Sequence, residues 1–206
     1  MSEPAERVAP DASAVDAGRG ERSRDEQQRY RHALGHFCTG VTVVAAVGTD
    51  GEPVGFACQS FAALSLDPPL ILFCPGKSSR TWPLIAAAGS FCVNVLSHEQ
   101  RDVSAVFGRA GEDKFAAVDW SAAPSGAPVL DGALTWIDCS IESVHDGGDH
   151  HIVIGRVHAL GEPVDGRPLL FYRGAYTETE QAEPTPGVLD NLITWSSDWS
   201  RTDTWF

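Results

Sequence analysis

The segment Gly40–Val47 reads Gly-Val-Thr-Val-Val-Ala-Ala-Val, apolar on both of its alternating faces and rich in β-branched side chains. A strand with one wet face would alternate polar and apolar, so this run belongs to a strand covered on both sides. Asp50-Gly51 supplies a turn, and Val54–Ser60 returns as a second strand. Leu64-Ser-Leu-Asp-Pro-Pro69 reads as a sharp connection into a third strand, Leu70–Cys74. Pro83 suits the first turn of a short helix ending at Gly89. Phe91–Leu96 makes a fourth strand, and Ser97 with Gln100 forms a capping box ahead of a helix reaching Phe107. Residues 108–131 read as loop. Leu134–Val144 and His150–Leu160 are the arms of a long hairpin turning at His145–Asp149, and Leu169–Tyr172 is a last strand. Strands outnumber helices and most connections are short. The expected fold is mainly β, a small β-barrel with peripheral helices, occupying residues 26–176.

The ends differ from this body. Residues 1–25 mix Glu, Asp, Arg, Ala, Gly and Pro with few large apolar side chains, and are expected to form a disordered extension. A short helix should follow from Asp25 to Phe37. His32 and His36 sit four apart on it, a spacing that suits zinc, but no Glu stands between them and no third ligand is near, so ordinary helix side chains are preferred. Residues 177–206 are acidic and polar, then aromatic at Trp195, Trp199, Trp205 and Phe206. Such a tail is expected to dock on its own or a sister subunit.

The formal net charge is −13, which argues against nucleic acid or an anionic membrane as a partner. No apolar run approaches membrane-spanning length, and residues 1–31 lack the apolar segment of a signal peptide. The five cysteines are odd in number, with no Cys-x-x-Cys pair, and most lie in strand-like runs. They read as free thiols buried in a protein of the reducing cytoplasm. In so acidic a chain the cations are informative, and the only lysines are Lys77 and Lys114.

Lys77 lies in Phe73-Cys-Pro-Gly-Lys-Ser-Ser-Arg-Thr-Trp82. Gly-Lys-Ser ends a P-loop, but a P-loop needs a glycine five residues before Gly76, and Ile71 stands there inside a strand. No Gly-x-Gly-x-x-Gly fingerprint occurs either. The stretch still has phosphate chemistry: backbone N–H groups between a strand and a helix, hydroxyls at Ser78, Ser79 and Thr81, and charge at Lys77 and Arg80. The alternative is a polar turn whose hydroxyls cap the next helix.

Two further clusters stand out. In Pro53-Val-Gly-Phe-Ala-Cys-Gln-Ser60, Gly55 and Ala57 are small enough to let a flat ring approach the backbone, with Gln59 and Ser60 as hydrogen-bonding groups; a plain core strand is the other reading. In Gly148-Asp149-His150-His151, alternation sends the two imidazoles to opposite faces, which argues against a shared metal. One His at a pocket mouth could orient an amide or phosphate.

Taken in order, Phe37-Cys-Thr-Gly-Val-Thr-Val-Val44, Gly55-Phe-Ala-Cys-Gln-Ser-Phe61, Ser65-Leu-Asp-Pro-Pro69, Lys77-Ser-Ser-Arg-Thr81, Phe91-Cys-Val-Asn-Val-Leu96, Gly148-Asp-His150 and Leu170-Phe-Tyr-Arg-Gly174 resemble the flavin reductase family, over Tyr30 to Tyr176. The similarity is to the reductase components of aromatic-ring and steroid-degrading hydroxylases. The resemblance implies a split β-barrel of Greek-key type that binds FMN or FAD and takes hydride from NADH or NADPH. It implies a homodimer with flavin at each subunit interface, and a separate monooxygenase that receives the reduced flavin. It places the flavin ring against Pro53, Val54, Gly55, Phe56 and Ala57, with Gln59 and Ser60 close by. The phosphate tail falls on Cys74, Pro75, Gly76, Lys77, Ser78, Ser79, Arg80 and Thr81, and Phe107 bounds the site. His150 with Phe171, Tyr172, Arg173 and Gly174 meets the nicotinamide.

Hydride transfer between two stacked rings needs positioning rather than a strong acid or base, which accounts for the lack of a triad or paired carboxylates in the sequence. Two other readings remain: a non-catalytic flavin- or haem-binding module on the same barrel, and a metal-dependent hydrolase using His145, Asp146, Asp149 and His150.

Overall fold

The computed structural model describes residues 23–179, apart from 112 and 117. The aromatic tail and all but the last three residues of the expected N-terminal extension lie outside the described residues.

The chain enters through α1 (Arg24–Leu34). Ser23 caps it: its Oγ accepts from Glu26 N–H at 3.2 Å, and the Glu26 carboxylate accepts from Ser23 N–H at 3.0 Å. The helix ends three residues short of the expected Phe37. His36 and Phe37 donate instead to Ala33 and Leu34, tightening the last turn. No residue of α1 is buried.

Seven strands form one antiparallel sheet: β2 (Thr42–Val47), β3 (Pro53–Cys58), β4 (Ala62–Leu66), β5 (Pro69–Phe73), β6 (Ser90–Val95), β9 (Thr135–Gly147) and β10 (His150–Leu160). Their order is β3-β2-β6-β9-β10-β5-β4. Between β5 and β6 the chain crosses the sheet through α2 (Trp82–Ala88). In a flat sheet β3 and β5 would stand five strand spacings, roughly 24 Å, apart. Instead the rings of Phe56 and Phe73 lie 6.2 Å apart, and Ser60 Oγ accepts from Cys74 N–H at 2.8 Å. The sheet is therefore curled into a barrel, with the end of β3 laced to the end of β5.

Both faces of β2 are covered, as its composition required. Val44 and Ala46 enter a barrel interior built with Ile71, Phe73, Phe91, Val93 and Val153, to which α2 adds Trp82 and Ile85. Val43 and Ala45 face a second cluster holding Leu96, Phe107 of α3 (Arg101–Phe107), Phe115 and Leu169. A three-stranded sheet, β1 (Thr39–Gly40), β11 (Leu170–Tyr172) and β12 (Ala175–Thr177), lies beside it.

The structure revises several boundaries. Residues 64–69 are not a mere connection: β4 runs through Ala62–Leu66, an exposed edge strand whose weak apolar pattern hid it. Inside the expected 108–131 loop, β7 (Trp120–Ala122) pairs with β8 (Pro128–Leu130). Buried Asn94 holds that hairpin, donating to Pro128 O at 3.1 Å and accepting from Leu130 N–H at 2.8 Å. The helix expected from Ser97 begins as a 3-10 turn, His98–Gln100. The long hairpin pairs as far as Gly147↔His150, so its turn shrinks to Gly148-Asp149, with Gly148 at φ +83°.

Burial pushes the thiols of Cys92 and Cys139 up to about 12, aided by the Asp138 carboxylate, while Cys38 is exposed. At mildly alkaline pH a thiol reagent should therefore label Cys38 at once and Cys92 and Cys139 only on unfolding. Labelling of Cys92 at the Cys38 rate, mapped by peptide mass, would contradict this core.

Candidate functional site

The turn between β5 and α2 is tightly committed. Cys74 N–H donates to Ser60 Oγ, Lys77 N–H to Asp149 O at 2.9 Å, and Ser79 N–H to Gly76 O at 3.0 Å. Ser79 Oγ accepts from Trp82 N–H at 3.1 Å, and Leu84 and Ile85 donate to Thr81 O. Ser79 thus does cap the helix, and α2 spans only seven residues. These bonds occupy the amides of Cys74, Lys77, Ser79, Trp82, Leu84 and Ile85, so an anion at this turn would draw on the amides of Gly76, Ser78, Arg80 and Thr81 and on side chains.

Across from the turn lies β3. The small size of Gly55 serves a ring, but one of the protein's own. A Cβ there would fall 2.9 Å from Phe107 Cε1 and 3.1 Å from Val44 O. Phe107 is only 1% exposed and stacks edge-on against Phe115 at 4.9 Å. It forms a floor rather than an open wall. From the end of α3, residues 108–111 and 113–115 lie beside β3. Lys114 ties this loop down, its Nζ donating to Gly55 O at 3.2 Å and to Phe107 O at 3.1 Å.

Between these walls lies a cavity of about 790 Å³. It is lined by Pro53–Ala57, by Ser78–Thr81 with Leu84, and by Phe107–Gly111 with Asp113, Lys114 and Phe115. Two stretches singled out separately in the sequence, 53–57 and 78–81, therefore share one space. Arg80, Arg109 and Lys114 bring positive charge to it, against Asp113. Burial, and then the Arg80 charge, hold the Lys114 ammonium below the usual lysine range. The sequence reading missed Arg109, Lys114 and Phe115. The rarity of lysine was the signal, but nothing in a polar loop says which wall it will join.

The remaining predicted residues lie elsewhere. Gln59 is exposed, and Ser60 is spent on the barrel latch. Cys74–Lys77 back onto the tip of the β9–β10 hairpin rather than lining the cavity: Lys77 Nζ pairs with Asp146, Gly76 bridges to His150, and His151 N–H donates to Pro75 O at 2.9 Å. His150 Nδ1 lies 2.7 Å from Asp149 Oδ1, and this bond holds the Asp149 carboxyl below its usual range. His151, the inward partner, rests 6.0 Å from the Trp82 ring. Phe171–Gly174 belong to the three-stranded sheet and its turn; Phe171 packs on Tyr176 at 5.4 Å, and Arg173 N–H donates to Gly35 O. His145 is bonded to Ser143 at 3.0 Å. Among the described residues no three His, Cys, Asp or Glu side chains gather as a metal site, and no helix is long and apolar enough to cross a membrane.

A curled antiparallel barrel with a cation-lined cleft is suited to holding an anionic cofactor. Residues 34–180 match the family described as flavin reductase like domain, and the chain belongs to that family. It is 54% identical over 184 residues to the reductase subunit HsaB of a flavin-dependent monooxygenase from Rhodococcus jostii, covering 87% of this chain and 92% of that one. The crystal structure of nitrilotriacetate monooxygenase component B from Mycobacterium thermoresistibile superposes with a TM-score of 0.76 at 53% identity, covering 84% of this chain and 94% of that one. The NADH:FAD oxidoreductase SgcE6 of Streptomyces globisporus, in complex with NAD and FAD fragments, superposes with a TM-score of 0.70 at 33% identity, covering 81% and 97%.

Proposed function

We propose that this chain is an NAD(P)H:flavin oxidoreductase that supplies reduced flavin to a separate monooxygenase component. The observation that carries the reading is that one cavity, of a size suited to small-molecule cofactors, is lined both by the strand 53–57 and by the turn 78–81. Its floor is apolar, its rim cationic, and the chain around it strongly acidic, a combination that fits a flat ring with a phosphate tail.

Bound there, a flavin supplies the hydride acceptor and the nicotinamide the donor. The protein's part is positioning. The backbone of Pro53–Ala57 supports the ring, and Phe107 and Phe115 keep water from beneath it. Ser78, Arg80 and Thr81 take the tail, while Lys77, paired with Asp146, stands at the rim. His150, steadied by Asp149, orients the nicotinamide amide. A His150→Ala variant should raise the KM for NADH about tenfold with little change in the flavin KM; a change confined to flavin would reassign the residue.

A homodimer follows from the same reading. No residue of α1 is buried in a single copy, and Phe37 just after it is 77% exposed, so a second subunit is the natural cover for this end of the barrel. Sedimentation at micromolar concentration should show two chains.

The deciding experiment mixes purified protein with NADH or NADPH and with FMN, FAD or riboflavin. Loss of the reduced-nicotinamide absorbance supports the reading; no oxidation in any combination, or a tightly held chromophore without turnover, overturns it.

A further inference from the structure

We propose that Tyr176 is a positioning residue for hydride transfer: its hydroxyl, bonded to Ser104, fixes where α3 seats Phe107 and so the level at which the flavin ring rests. This rests on the flavin reading above.

Arg101, Ser104 and Phe107 follow one another at three-residue steps along α3 and form one row on its surface. Phe107, at one end, is the cavity floor. The rest of the row is held by a side chain from the three-stranded sheet. Ser104 Oγ lies 3.0 Å from Tyr176 OH, and the Arg101 guanidinium stands 5.6 Å from the centre of the Tyr176 ring. Among the described residues, the Ser104–Tyr176 bond is the only side-chain hydrogen bond that α3 makes. Tyr176 is itself well anchored. It pairs with Phe171 across β11 and β12, its ring edge-on to that of Phe171 at 5.4 Å, and β11 pairs in turn with β1.

Apolar packing alone would leave α3 loosely placed. Val103, Val106 and Phe107 pack against a cluster holding Val43, Ala45, Leu96 and Leu169. Such contacts are non-directional, and a helix of seven residues can rock on them with little change in buried area. Gly55 offers no side chain to key the Phe107 ring in place along β3. Lys114 restrains one end, bonding both Phe107 O and Gly55 O, but a single fixed point leaves the helix free to pivot about it. The Ser104–Tyr176 bond supplies the second point, and a hydrogen bond sets a distance. Ser104 is 3% exposed, so its bond is lost rather than exchanged for water when the helix moves. Hydride transfer between stacked rings is steeply sensitive to their placement, and the floor beneath one ring is set from this row.

The test compares wild type, Tyr176→Phe, Ser104→Ala and the double variant. Four quantities are measured: the rate of flavin reduction at saturating NADH and FMN, the visible circular dichroism of bound oxidised FMN, the KM of NADH, and the melting temperature. Tyr176→Phe should slow reduction about tenfold and alter the dichroism of the bound ring, with the melting temperature within roughly 4 °C of wild type. Ser104→Ala should do the same, and the double variant should be no slower than either single one, because both remove the same bond. An unchanged rate or an unchanged dichroism overturns the proposal. Losses that multiply in the double variant would mean that the two residues act apart, and overturn it too. A larger fall in melting temperature that carries the rate down with it would make the bond only structural, and a change confined to the KM of NADH would place the role of Tyr176 in the neighbouring turn; either result is equally fatal. Wild type that reduces no flavin overturns the functional reading and this proposal together, whereas variants as fast as an active wild type overturn this proposal alone.

Discussion

A Gly55→Val variant is expected to lose tenfold or more in flavin affinity and about 1–3 kcal/mol of stability. The added Cβ would stand 2.9 Å from Phe107 Cε1 and 3.1 Å from Val44 O. The carbonyl belongs to the paired strand β2 and cannot retreat without breaking the Ala45↔Gly55 register. The ring cannot retreat freely either, since Phe115 meets it at 4.9 Å and Lys114 is tied to the Phe107 carbonyl. Relief must come by tilting α3 and its following loop away from β3, which spreads the cavity floor. Gly55→Ala should show the same defects in weaker form. Titration of FMN and a thermal melt test the claim together; a valine variant with unaltered affinity and melting point would mean that Phe107 is not packed as described.

Phe73→Ala should be the more destabilising change, by about 3–5 kcal/mol. Phe73 is fully buried where the barrel's two ends meet, 5.1 Å from the ring of Phe91, 5.9 Å from Trp82 and 6.2 Å from Phe56. For a domain of this length each kcal/mol moves the melting temperature by roughly 2–4 °C, so a fall of about 6–20 °C is expected. The cavity left behind also frees Trp82, the first residue of α2, and with it the turn that carries Ser78–Thr81. Flavin affinity should therefore drop even at temperatures where the variant stays folded. A melting point within a degree or two of wild type would refute the closure of β3 against β5.

How much of this could be read from sequence depended on where each residue's partners lie along the chain. Gly40–Val47 announced a strand buried on both faces because its own composition says so. Pro83 and Gly89 bounded α2 because backbone geometry at helix ends is local. Ala62–Leu66 was hidden because it is an exposed edge whose pairing is with β5, and the adjoining Asp-Pro-Pro drew the eye to a turn. The short β7, β8 and β12 lack a pattern long enough to show a period. At the cavity, the residue types of 53–57 and 78–81 were legible. Their meeting in one space was not, nor was the wall holding Phe107, Lys114 and Phe115, which is fixed by packing and by the bonds of Lys114 to distant carbonyls. Gly55 is the clearest case: the sequence marks a place kept small, and only the fold shows that Phe107 fills it. Lys77 errs in the other direction, its motif-like setting suggesting a role that its pairing with Asp146 draws to the rim.

The bonds from His151 to Pro75 and from Lys77 to Asp149 run main chain to main chain. The separation between the β5–α2 turn and the hairpin tip is thus written in residue count rather than in side-chain identity, and the hairpin behaves as a ruler. Substitutions along it leave the marks where they are. One amino acid added between Gly147 and His150 would slide every mark beyond it, trading the outward place of His150 for the inward place of His151 beside Trp82. Two proteins of this kind can therefore differ widely in sequence at the tip and still hold the hairpin and the β5–α2 turn at one spacing, whereas a change in length there alters the measure itself.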